Sequence, residues 1–479
     1  MTFWTPDAIK GVLGGTWLAR ADAPADAGVG IDTRTLQPGQ LFVALRGERT
    51  DGHAYLRDAV RAGAAMLVID DPRAVPAEGW ERPVAVLHVP DAGAALLRLG
   101  AAYRKTLDPT RVIAVGGSNG KTTTVRLIHA ALAPSMRGTH APRSFNNAVG
   151  LPLTLLGARR GDQYLVCEIG TNAPGEIAPL ASVAEPDIAV ITSIGREHLE
   201  GLGSLRGVAQ EEASLLLGLR AGGVAILNAD APHLVEAARP IALSQRAQVL
   251  TFGRSPEADL RVTDVRDTPE GLRVRVNERE ALAAPLHGKH NALNMVAAFA
   301  VARRLGLDTQ AIAGGLARAT PPPMRLQRVR VGEIEFLNDA YNANPESLLA
   351  AVETFGELYR DAARRVLILG DMLEQGVHAP ALHEECAAAV GACAWADLVV
   401  LVGPHWTHSA SIVRAALGDD RVRTLADVAG PNASRVAQAL RPGDAVLLKG
   451  SRGVALERVL DACRLEGEAL TEFKPGATA

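Results

Sequence analysis

The chain has 479 residues, of which 48% are hydrophobic and 22% charged, and its formal net charge is −3. A chain of this length is typical of about three domains of roughly 150 residues each. No cluster of lysine and arginine stands out, which argues against a nucleic-acid-binding protein, because such proteins concentrate basic side chains on one face.

Nothing in the sequence indicates export or insertion into a membrane. The first ten residues lack a basic region followed by an apolar stretch. No apolar run approaches the roughly 18 residues of a membrane-spanning helix. The four cysteines match neither a zinc-binding spacing nor a short disulfide framework. We therefore expect a cytoplasmic protein with no membrane span, whose thiols are kept reduced.

Apolar runs alternate with segments of helical spacing along the chain. These runs lack the apolar–polar alternation of half-exposed strands, so they predict strands buried on both faces of a parallel sheet. Strands that alternate with helices indicate an α/β fold. The predicted strands are 41–45, 66–69, 84–89, 111–115, 164–169, 188–191, 224–227, 334–337, 366–369, 398–402 and 445–448.

Two soft boundaries divide the chain. One is Leu107-Asp108-Pro109, directly before a predicted strand, and the other is the proline run 321–323, which cannot lie inside a helix. We predict three domains, 1–107, 108–318 and 319–479. The strands of the second domain indicate a parallel sheet around a nucleotide-binding loop.

Residues 116–123 read Gly-Gly-Ser-Asn-Gly-Lys-Thr-Thr and follow a predicted strand. Glycines let several backbone N–H groups approach one phosphate, the lysine would face the outer phosphates, and Thr122 would offer its hydroxyl to Mg²⁺. The pattern departs from the general phosphate loop, because Val115 stands in the place of its first glycine. The predicted nucleotide-binding residues here are Gly117, Ser118, Asn119, Gly120, Lys121, Thr122 and Thr123.

Two further residues follow strands of the same domain. Glu168 closes the run that begins at Tyr164, and His198 lies in a loop after the run 188–191. Ligands of parallel sheets bind beyond the carboxyl ends of the strands, and Mg²⁺ prefers hard oxygen donors. We predict Glu168 and His198 as metal-binding and catalytic residues beside Lys121.

Together these segments resemble the Mur ligases over nearly the whole chain. The resemblance implies a small α/β domain that binds a UDP-sugar, a central domain that binds ATP, and a Rossmann-like C-terminal domain that binds the incoming dipeptide. In the central domain it implies that Asn291 and Asn294, at one helix start, contact adenine. The residues it implies for the UDP-linked substrate are Asp32, Thr33, Arg34, Arg46, Gly47, Asp51, His53, Asn146, Asn147, Thr171 and Asn172.

Residues 338–345, Asn-Asp-Ala-Tyr-Asn-Ala-Asn-Pro, resemble the branch of this family that adds D-alanyl-D-alanine. The segments 369–374 and 450–452 resemble the same branch, and the Asp-Asn-Pro-Arg motif of the branch that adds a diamino acid is not found. The resemblance implies that Tyr341, Asn342 and Asn344 bind the dipeptide, and that Arg325 and Asp339 contact the nucleotide.

The chain departs from the family pattern at two positions. Asn338 stands where the family usually has aspartate, although Asp339 remains. Glu212 stands where the family carries a lysine whose carbamate helps to hold a second Mg²⁺. We hypothesise that the Glu212 carboxylate replaces that carbamate. The alternative is that Glu212 is a solvated helix residue and that Glu211, or no residue, takes this role.

The activity that the resemblance implies is ATP-dependent ligation of D-alanyl-D-alanine to UDP-N-acetylmuramoyl-tripeptide. The reaction would pass through an acyl phosphate, require Mg²⁺ and yield the pentapeptide precursor of peptidoglycan. We expect a monomer. Two alternatives remain at this point: a sister ligase, for another amino acid or for folate glutamylation, and a nucleotide-dependent switch or binding protein that makes no amide bond.

Overall fold

Three β-sheets follow one another along the chain, and each is flanked by helices. The computed structural model describes residues 3–47 and 50–472, with side chains as far as residue 465. Within these residues the sheets have five, nine and six strands. This arrangement confirms the predicted α/β class with three domains.

The first domain carries a mixed sheet. It contains helices α1 (Pro6–Leu13), α2 (Leu56–Arg61) and α3 (Ala92–Arg104), and strands β1 (Thr16–Ala19), β2 (Val29–Gly30), β3 (Leu41–Val43), β4 (Met66–Ile69) and β5 (Ala85–His88). The strand order is β1-β5-β4-β3-β2. Only the edge strand β1 is antiparallel to its neighbour among these described strands.

The second domain has the largest sheet, in the order β14-β13-β12-β11-β10-β9-β6-β8-β7. Its strands are β6 (Arg111–Gly116), β7 (Gly138–His140), β8 (Tyr164–Glu168), β9 (Ile188–Ile191), β10 (Val224–Asn228), β11 (Gln248–Gly253), β12 (Leu260–Thr268), β13 (Gly271–Val276) and β14 (Glu280–Ala284). Its helices are α4 (Lys121–Leu132), α5 (Gly150–Leu156), α6 (Ile177–Ala184), α7 (Leu199–Leu202), α8 (Leu205–Ala213), α9 (Pro232–Ser244), α10 (Asn291–Arg304) and α11 (Thr309–Leu316).

The prediction of a parallel central sheet is correct for seven neighbouring strands and wrong at one edge. The strands from β7 to β12 in the sheet order are parallel, whereas β13 is antiparallel to β12 and β14 is antiparallel to β13. The segment of β13 alternates buried and exposed side chains along most of its length. This alternation is the pattern of an antiparallel strand with one wet face.

The third domain has a parallel sheet with one antiparallel edge. Its strands, in the order β15-β16-β20-β17-β18-β19, are β15 (Gln327–Val331), β16 (Ile334–Asp339), β17 (Arg364–Gly370), β18 (Leu398–Val402), β19 (Val422–Leu425) and β20 (Asp444–Lys449). Only β15 is antiparallel to its neighbour among these described strands. Its helices are α12 (Pro345–Leu358), α13 (Ala379–Gly391), α14 (Pro404–Leu417), α15 (Pro431–Ala437) and α16 (Glu457–Glu472).

The central domain packs against both of its neighbours. Helix α3 of the first domain lies on α5 so closely that a Cβ atom on Gly100 would be 2.7 Å from Cβ of Pro152. On the other side, Leu199 and Leu202 of α7 share an apolar cluster with Met372 of the third domain. We retain 1–107, 108–318 and 319–479 as the proposed domain bounds.

Two of the cysteines lie in the interiors of their domains. Cys167 and Cys386 are buried free thiols, and burial raises the pKa of each to about 12. Such thiols are poor nucleophiles, because the thiolate is the reactive form. Among the helices of the described residues, none combines the length and the apolarity that crossing a lipid bilayer demands.

Candidate active site

A cleft of about 940 Å³ opens between the central and third domains, at the carboxyl ends of β6 and β8. In the central sheet β6 lies between β8 and β9. Strands that follow β6 in the chain are therefore placed on both of its sides, and the strand order reverses at this point. Ligands bind at such a reversal point. The predicted site residues that line the cleft are Ser118, Asn119, Gly120, Lys121, Thr123, Asn146, Asn147, Glu168, Thr171, Asn172, His198, Asn291, Asn294, Arg325, Asp339, Tyr341, Asn342 and Asn344.

The loop between β6 and α4 needs glycine at two positions. Gly117 and Gly120 have φ angles of 112° and 89°, which side-chain-bearing residues rarely adopt. A Cβ atom would lie 2.4 Å from the Thr192 hydroxyl oxygen in the first case and 2.3 Å from the Asn294 side chain in the second. The loop can therefore lie against its neighbours, and the N–H groups of residues 117–119 donate to the Glu212 carboxylate and to the carbonyl and hydroxyl oxygens of Ser193.

Lys121 is the first residue of α4, and its amine turns toward the preceding loop. Its Nζ donates to the carbonyl oxygens of Gly117 (2.5 Å) and Ser118 (3.2 Å) and lies 3.5 Å from Oε1 of Glu197. Burial alone lowers the pKa of Lys121, but nearby carboxylates, Glu197 foremost, outweigh burial, so the pKa is raised. The lysine is therefore cationic at neutral pH, as phosphate binding requires.

Thr122 and Glu168, both predicted as metal ligands, contact each other. The Thr122 hydroxyl donates to Oε2 of Glu168 at 2.7 Å, and Oε1 of the same carboxylate accepts from the Asn146 side chain at 3.1 Å. The Arg325 guanidinium of the third domain donates to the Thr122 hydroxyl oxygen at 3.0 Å. Glu168 is fully buried at the end of β8. The third domain thus reaches the first turn of α4.

The two asparagines at the start of α10 lie together beneath the phosphate loop. Asn294 donates to the side-chain oxygen of Asn291 at 2.7 Å and accepts from the Thr124 hydroxyl at 3.2 Å. Asn291 donates to the carbonyl oxygen of His287 at 2.7 Å. The predicted spacing of three residues therefore places both side chains on one helix face at the edge of the cleft.

The 338–345 segment forms the third domain's wall of the cleft. Asp339 ends β16 and lies 2.8 Å from Nζ of Lys449, which also donates to the carbonyl oxygen of Asn342 at 2.6 Å. The Arg325 guanidinium lies over the Tyr341 ring, 4.3 Å from its centroid. This wall therefore presents both cations and hydrogen-bonding groups.

Asn344 connects that wall to the phosphate loop. Its side-chain oxygen accepts from the backbone N–H of Ser347 and caps α12, while its side-chain amide donates to Asn119 at 3.0 Å. The side-chain oxygen of Asn344 thus caps the helix, a role that the sequence pattern alone did not indicate.

His198 opens the short helix α7 in a left-handed conformation, with φ of 51°. Its Nδ1 is 2.6 Å from Oε2 of Glu374 in the third domain, and its Nε2 is 4.0 Å from Oε2 of Glu197. The histidine therefore stands between a carboxylate of each domain. Burial lowers the pKa of His198, but Glu374 and Glu197 outweigh burial and the pKa is raised.

Glu212 is almost fully buried, so the interpretation as a solvated helix residue is wrong. Its Oε2 accepts from the N–H of Gly117 at 2.6 Å, whereas its Oε1 is buried without a hydrogen-bond partner. Burial raises the pKa of Glu212 to about 7. Glu211 instead accepts from the N–H groups of Gly175 and Ile177 at the start of α6. Glu212 therefore lies behind the phosphate loop and not among the described residues that line the cleft.

Seven of the residues predicted for the UDP-linked substrate lie in the first domain, outside the lining of the cleft. Arg34 and Asp32 form an exposed ion pair of 2.6 Å. Asp51 lies 2.7 Å from Nδ1 of His53 and 3.6 Å from Nε of Arg46. The seven predicted residues of this domain are Asp32, Thr33, Arg34, Arg46, Gly47, Asp51 and His53.

Sequence reasoning missed six charged residues of the cleft, which are Glu197, Glu374 and Lys449 together with Glu176, Glu346 and Arg452. Burial raises the pKa of Glu197 and lowers that of Lys449, although each has a partner of opposite charge. Glu197 and Lys449 adjoin motifs that the sequence analysis had singled out, and Glu374 ends one. Their position beside those motifs was the available signal.

The donors of the cleft fit a Mg²⁺ ion that nucleotide phosphates help to hold. Mg²⁺ usually binds one or two protein carboxylates together with phosphate and water oxygens. Thr122 and Glu168 offer adjacent oxygens, and Glu212 has an unpartnered buried one behind the phosphate loop, outside the lining of the cleft. Within the described residues no three histidine, cysteine or acidic side chains converge into a metal site by themselves.

Comparisons with known proteins match all three domains of this architecture. Three family models match in succession: "Mur ligase family, catalytic domain" over residues 27–104, "Mur ligase middle domain" over 115–302 and "Mur ligase, glutamate ligase domain" over 324–452. The chain is 36% identical over 444 residues to UDP-N-acetylmuramoyl-tripeptide--D-alanyl-D-alanine ligase of Bacillus subtilis (strain 168), with 90% of this chain and 92% of the relative covered.

Solved structures share the three-domain fold. MurF from Acinetobacter baumannii superposes with a TM-score of 0.80 at 26% identity, covering 96% of this chain and 99% of that one. MurF from Thermotoga maritima in complex with ADP has a TM-score of 0.74 at 24% identity, covering 92% and 98%. The likeness to the second structure concerns the fold alone.

Proposed function

The chain belongs to the Mur ligase family, and on this basis we propose that it joins D-alanyl-D-alanine to UDP-N-acetylmuramoyl-tripeptide with cleavage of ATP. The product is the pentapeptide precursor of peptidoglycan. The observation that carries the proposal is one cleft in which a glycine-rich loop with Lys121 faces the 338–345 wall of the third domain. The Bacillus subtilis relative is a UDP-N-acetylmuramoyl-tripeptide--D-alanyl-D-alanine ligase, which supports the same reaction for this chain.

The reaction needs activation because a carboxylate does not condense with an amine in water. ATP transfers its γ-phosphoryl group to the terminal carboxylate of the tripeptide, and the resulting acyl phosphate is attacked by the dipeptide amine, so that phosphate leaves. In phosphoryl transfer the protein chiefly positions the reactants and neutralises phosphate charge. The residues of the cleft are suited to both tasks.

We assign nucleotide binding to the loop and the helix starts that surround it. The loop of Gly117, Ser118 and Asn119 lies beside the phosphates, but its own N–H groups donate within the protein, so the N–H groups that meet the phosphates are those at the start of α4, residues 120–123. The Lys121 amine neutralises the outer phosphate, and Arg325 adds a second cation from the third domain. Asn291 and Asn294 bind the adenine side, and Asp339, at the end of β16, contacts the nucleotide from the third domain. These assignments rest on the placement of the residues around the cleft.

When bound, Mg²⁺ would neutralise phosphate charge and orient the transferring group. We propose Thr122, Glu168 and His198 as its protein ligands, because their oxygen and nitrogen atoms lie at the strand ends beside Lys121. Glu212 is proposed as the replacement of the family's carbamylated lysine, through its buried Oε1. Its location behind the loop implies contact through a water molecule.

The two organic substrates approach from different domains. We propose that Asp32, Arg34, Arg46 and the residues around them bind the UDP-sugar, and that Asn146, Asn147, Thr171 and Asn172 guide its peptide into the cleft. Tyr341, Asn342 and Asn344 bind the dipeptide, with Lys449 as a nearby cation for its carboxylate. We propose a monomer that acts in the cytoplasm, where its nucleotide-linked substrates are made.

The test of the proposed function is a phosphate-release assay with the full chain, ATP, Mg²⁺ and UDP-N-acetylmuramoyl-tripeptide. D-alanyl-D-alanine, L-lysine, meso-diaminopimelate and glutamate are offered separately. We expect stimulation by the dipeptide alone. Stimulation by a free amino acid identifies a sister ligase instead, and ATP cleavage that ignores all four compounds identifies a nucleotide-dependent switch.

The proposed role of Glu212 has its own test, a Mg²⁺ titration of activity for wild type, Glu211→Ala and Glu212→Ala. We expect Glu212→Ala to raise the Mg²⁺ requirement or to lower turnover, and we expect activity of the wild type to be indifferent to added bicarbonate. Glu211 is the matched control, because its carboxylate caps α6. An unchanged Mg²⁺ profile for Glu212→Ala would refute the assignment.

A further inference from the structure

The loop of residues 195–198 belongs to the central domain but is held largely by carboxylates of the third. Arg196 donates through Nε to Glu346 at 2.6 Å and forms a bidentate pair with Glu385 at 2.6 and 2.9 Å. The backbone N–H of Arg196 donates to the same Glu346 at 3.1 Å. Bidentate arginine–carboxylate pairs fix geometry as well as charge. This contact therefore defines how the third domain sits on the 195–198 loop.

A third carboxylate of the same domain reaches the next functional side chain of that loop. Oε2 of Glu374 lies 2.6 Å from Nδ1 of His198. The segment that carries Glu374 also docks on α7, since its carbonyl oxygen accepts from the N–H of Glu200 at 3.5 Å. Cβ of Glu200 lies 3.0 Å from where a Cβ atom on Gly376 would be. The contact is thus part of a packed junction.

Both partners of this contact have unusual backbones. His198 and Glu374 have φ angles of 51° and 62°, in the left-handed region that residues other than glycine rarely adopt. Such conformations cost of order 1–3 kcal/mol and persist where the surrounding structure requires them, often at functional sites. Two such residues in side-chain contact indicate that the surrounding structure holds this junction in a fixed position.

We propose that Glu374 is a positioning residue, supplied by the third domain, that orients His198 for a divalent cation; this rests on the proposed metal role of His198. The Glu374 carboxylate lies within hydrogen-bond distance of Nδ1 but off the line of its N–H, so a small turn of either side chain completes the bond. An ionised carboxylate can only accept a hydrogen bond, so this bond requires a neutral His198 to carry its proton on Nδ1. The lone pair of Nε2 then faces the side of Glu197, 4.0 Å away. Outer carboxylates that hold a ligating histidine in this way fix both its tautomer and its ring.

The arrangement couples cation binding to the position of the third domain against the 195–198 loop. Glu346, Glu374 and Glu385 all belong to the third domain, so His198 gains its outer carboxylate only when that domain lies against the 195–198 loop. A cation that binds the oriented histidine more tightly must, by thermodynamic reciprocity, favour the seated domain to the same extent. Metal binding and closure over the nucleotide are therefore coupled through one side chain.

The experiment measures Mn²⁺ binding to the full chain by electron paramagnetic resonance in the presence of ADP, without turnover. It compares wild type with Glu374→Ala, Glu374→Gln, His198→Gln and the double variant Glu374→Ala/His198→Gln. Glu357→Gln is the matched control, because Glu357 forms an ion pair of 2.5 Å with Lys289 across the same two domains and touches neither His198 nor its loop.

We expect Glu374→Ala to weaken Mn²⁺ binding about tenfold, the lower end of outer-ligand effects, and Glu374→Gln to weaken it less, because its amide oxygen still accepts from Nδ1. Glu357→Gln should match wild type, and the double variant should bind no more weakly than His198→Gln alone. Wild-type affinity in Glu374→Ala with weakened binding in His198→Gln overturns this inference and leaves the proposed function standing. Unchanged affinity in His198→Gln overturns the metal role of His198 and the inference together.

Discussion

The proposed UDP-sugar site and the cleft are both rich in charge, but their surroundings differ. In the first domain the side chain of Arg34 is 87% exposed and its partner Asp32 37% exposed. In the cleft, Lys121 and Glu197 are only 13% and 6% exposed. Exposed ion pairs contribute roughly 0–1 kcal/mol, so the first set can exchange partners with a ligand at little cost.

Buried charges behave differently, because each one depends on its partners. Removing one member of a buried set leaves an uncompensated charge, which typically costs about 3–5 kcal/mol. Lys121 is surrounded by Glu197, Glu212 and Glu168, and Arg325 approaches from the third domain. The comparison implies that substitutions in the cleft should impair turnover, whereas substitutions in the first domain should change substrate affinity alone.

The largest effect is expected for Lys121→Ala. Loss of the phosphate-facing cation should reduce ligation on the order of 10²-fold or more, as for other groups that stabilise developing charge. The measurement is steady-state phosphate release with all three substrates, together with the circular dichroism spectrum of the variant. A folded variant that retains near wild-type turnover would refute the assignment of the phosphate loop.

Arg325→Ala should produce the next largest effect, because it removes a cation that the third domain brings to Thr122. We expect kcat to fall by about 10-fold to 10²-fold, within the range for groups that complete a closed site. Arg328→Ala is the matched control, since Arg328 of β15 pairs with Glu335 of β16 at 3.5 Å. Equal kinetics for the two variants would show that Arg325 has no special role.

Arg46→Ala should separate the two regions most clearly. Its guanidinium is half exposed and shared among Asp51, Asp70 and Asp71. We expect KM for the UDP-linked substrate to rise about tenfold with kcat unchanged, the signature of lost uniform binding. Initial rates over a range of substrate concentrations provide the test. A fall in kcat at an unchanged KM would contradict the assignment of this domain to substrate affinity.

The smallest effect concerns stability and Glu212. Burial raises its pKa from the ordinary 4.5 to about 7, so the folded state holds the proton more tightly than the unfolded state. The contribution of this group to stability is therefore greatest below pH 4.5 and declines as the pH rises to about 7. Glu212→Gln should accordingly melt a few degrees above wild type at pH 8, with the difference shrinking toward pH 5. A difference in Tm that does not vary with pH would contradict this account.

The sequence predicts the strands of the cleft closely, because buried parallel strands leave uninterrupted apolar runs. The run 188–191 coincides with β9, and the run 111–115 differs from β6 by one residue. The hairpins of β12 to β14 were missed, since their exposed faces break the apolar pattern. Periodicity reports burial, and it does not report which strand lies beside which.

Charged residues of the site could be predicted only where they lie in a recognisable motif. Lys121, Glu168 and His198 follow strands and could be placed at the edge of a parallel sheet. Glu374 and Lys449 come from the third domain, so their contacts with His198 and Asp339 depend on tertiary packing that no local pattern encodes. Burial of Glu212 has the same origin, because helical spacing alone allows either face of α8 to point inward.

The most direct test of the central claim follows oxygen atoms through the reaction. The terminal carboxylate of UDP-N-acetylmuramoyl-tripeptide is labelled with ¹⁸O, and the released phosphate is analysed by mass spectrometry after ligation with D-alanyl-D-alanine. Attack of the amine on an acyl phosphate expels phosphate that retains one carboxylate oxygen. We predict one ¹⁸O atom in each phosphate released and a UDP-linked pentapeptide as the organic product. Unlabelled phosphate, or label transfer with no pentapeptide formed, would contradict the account.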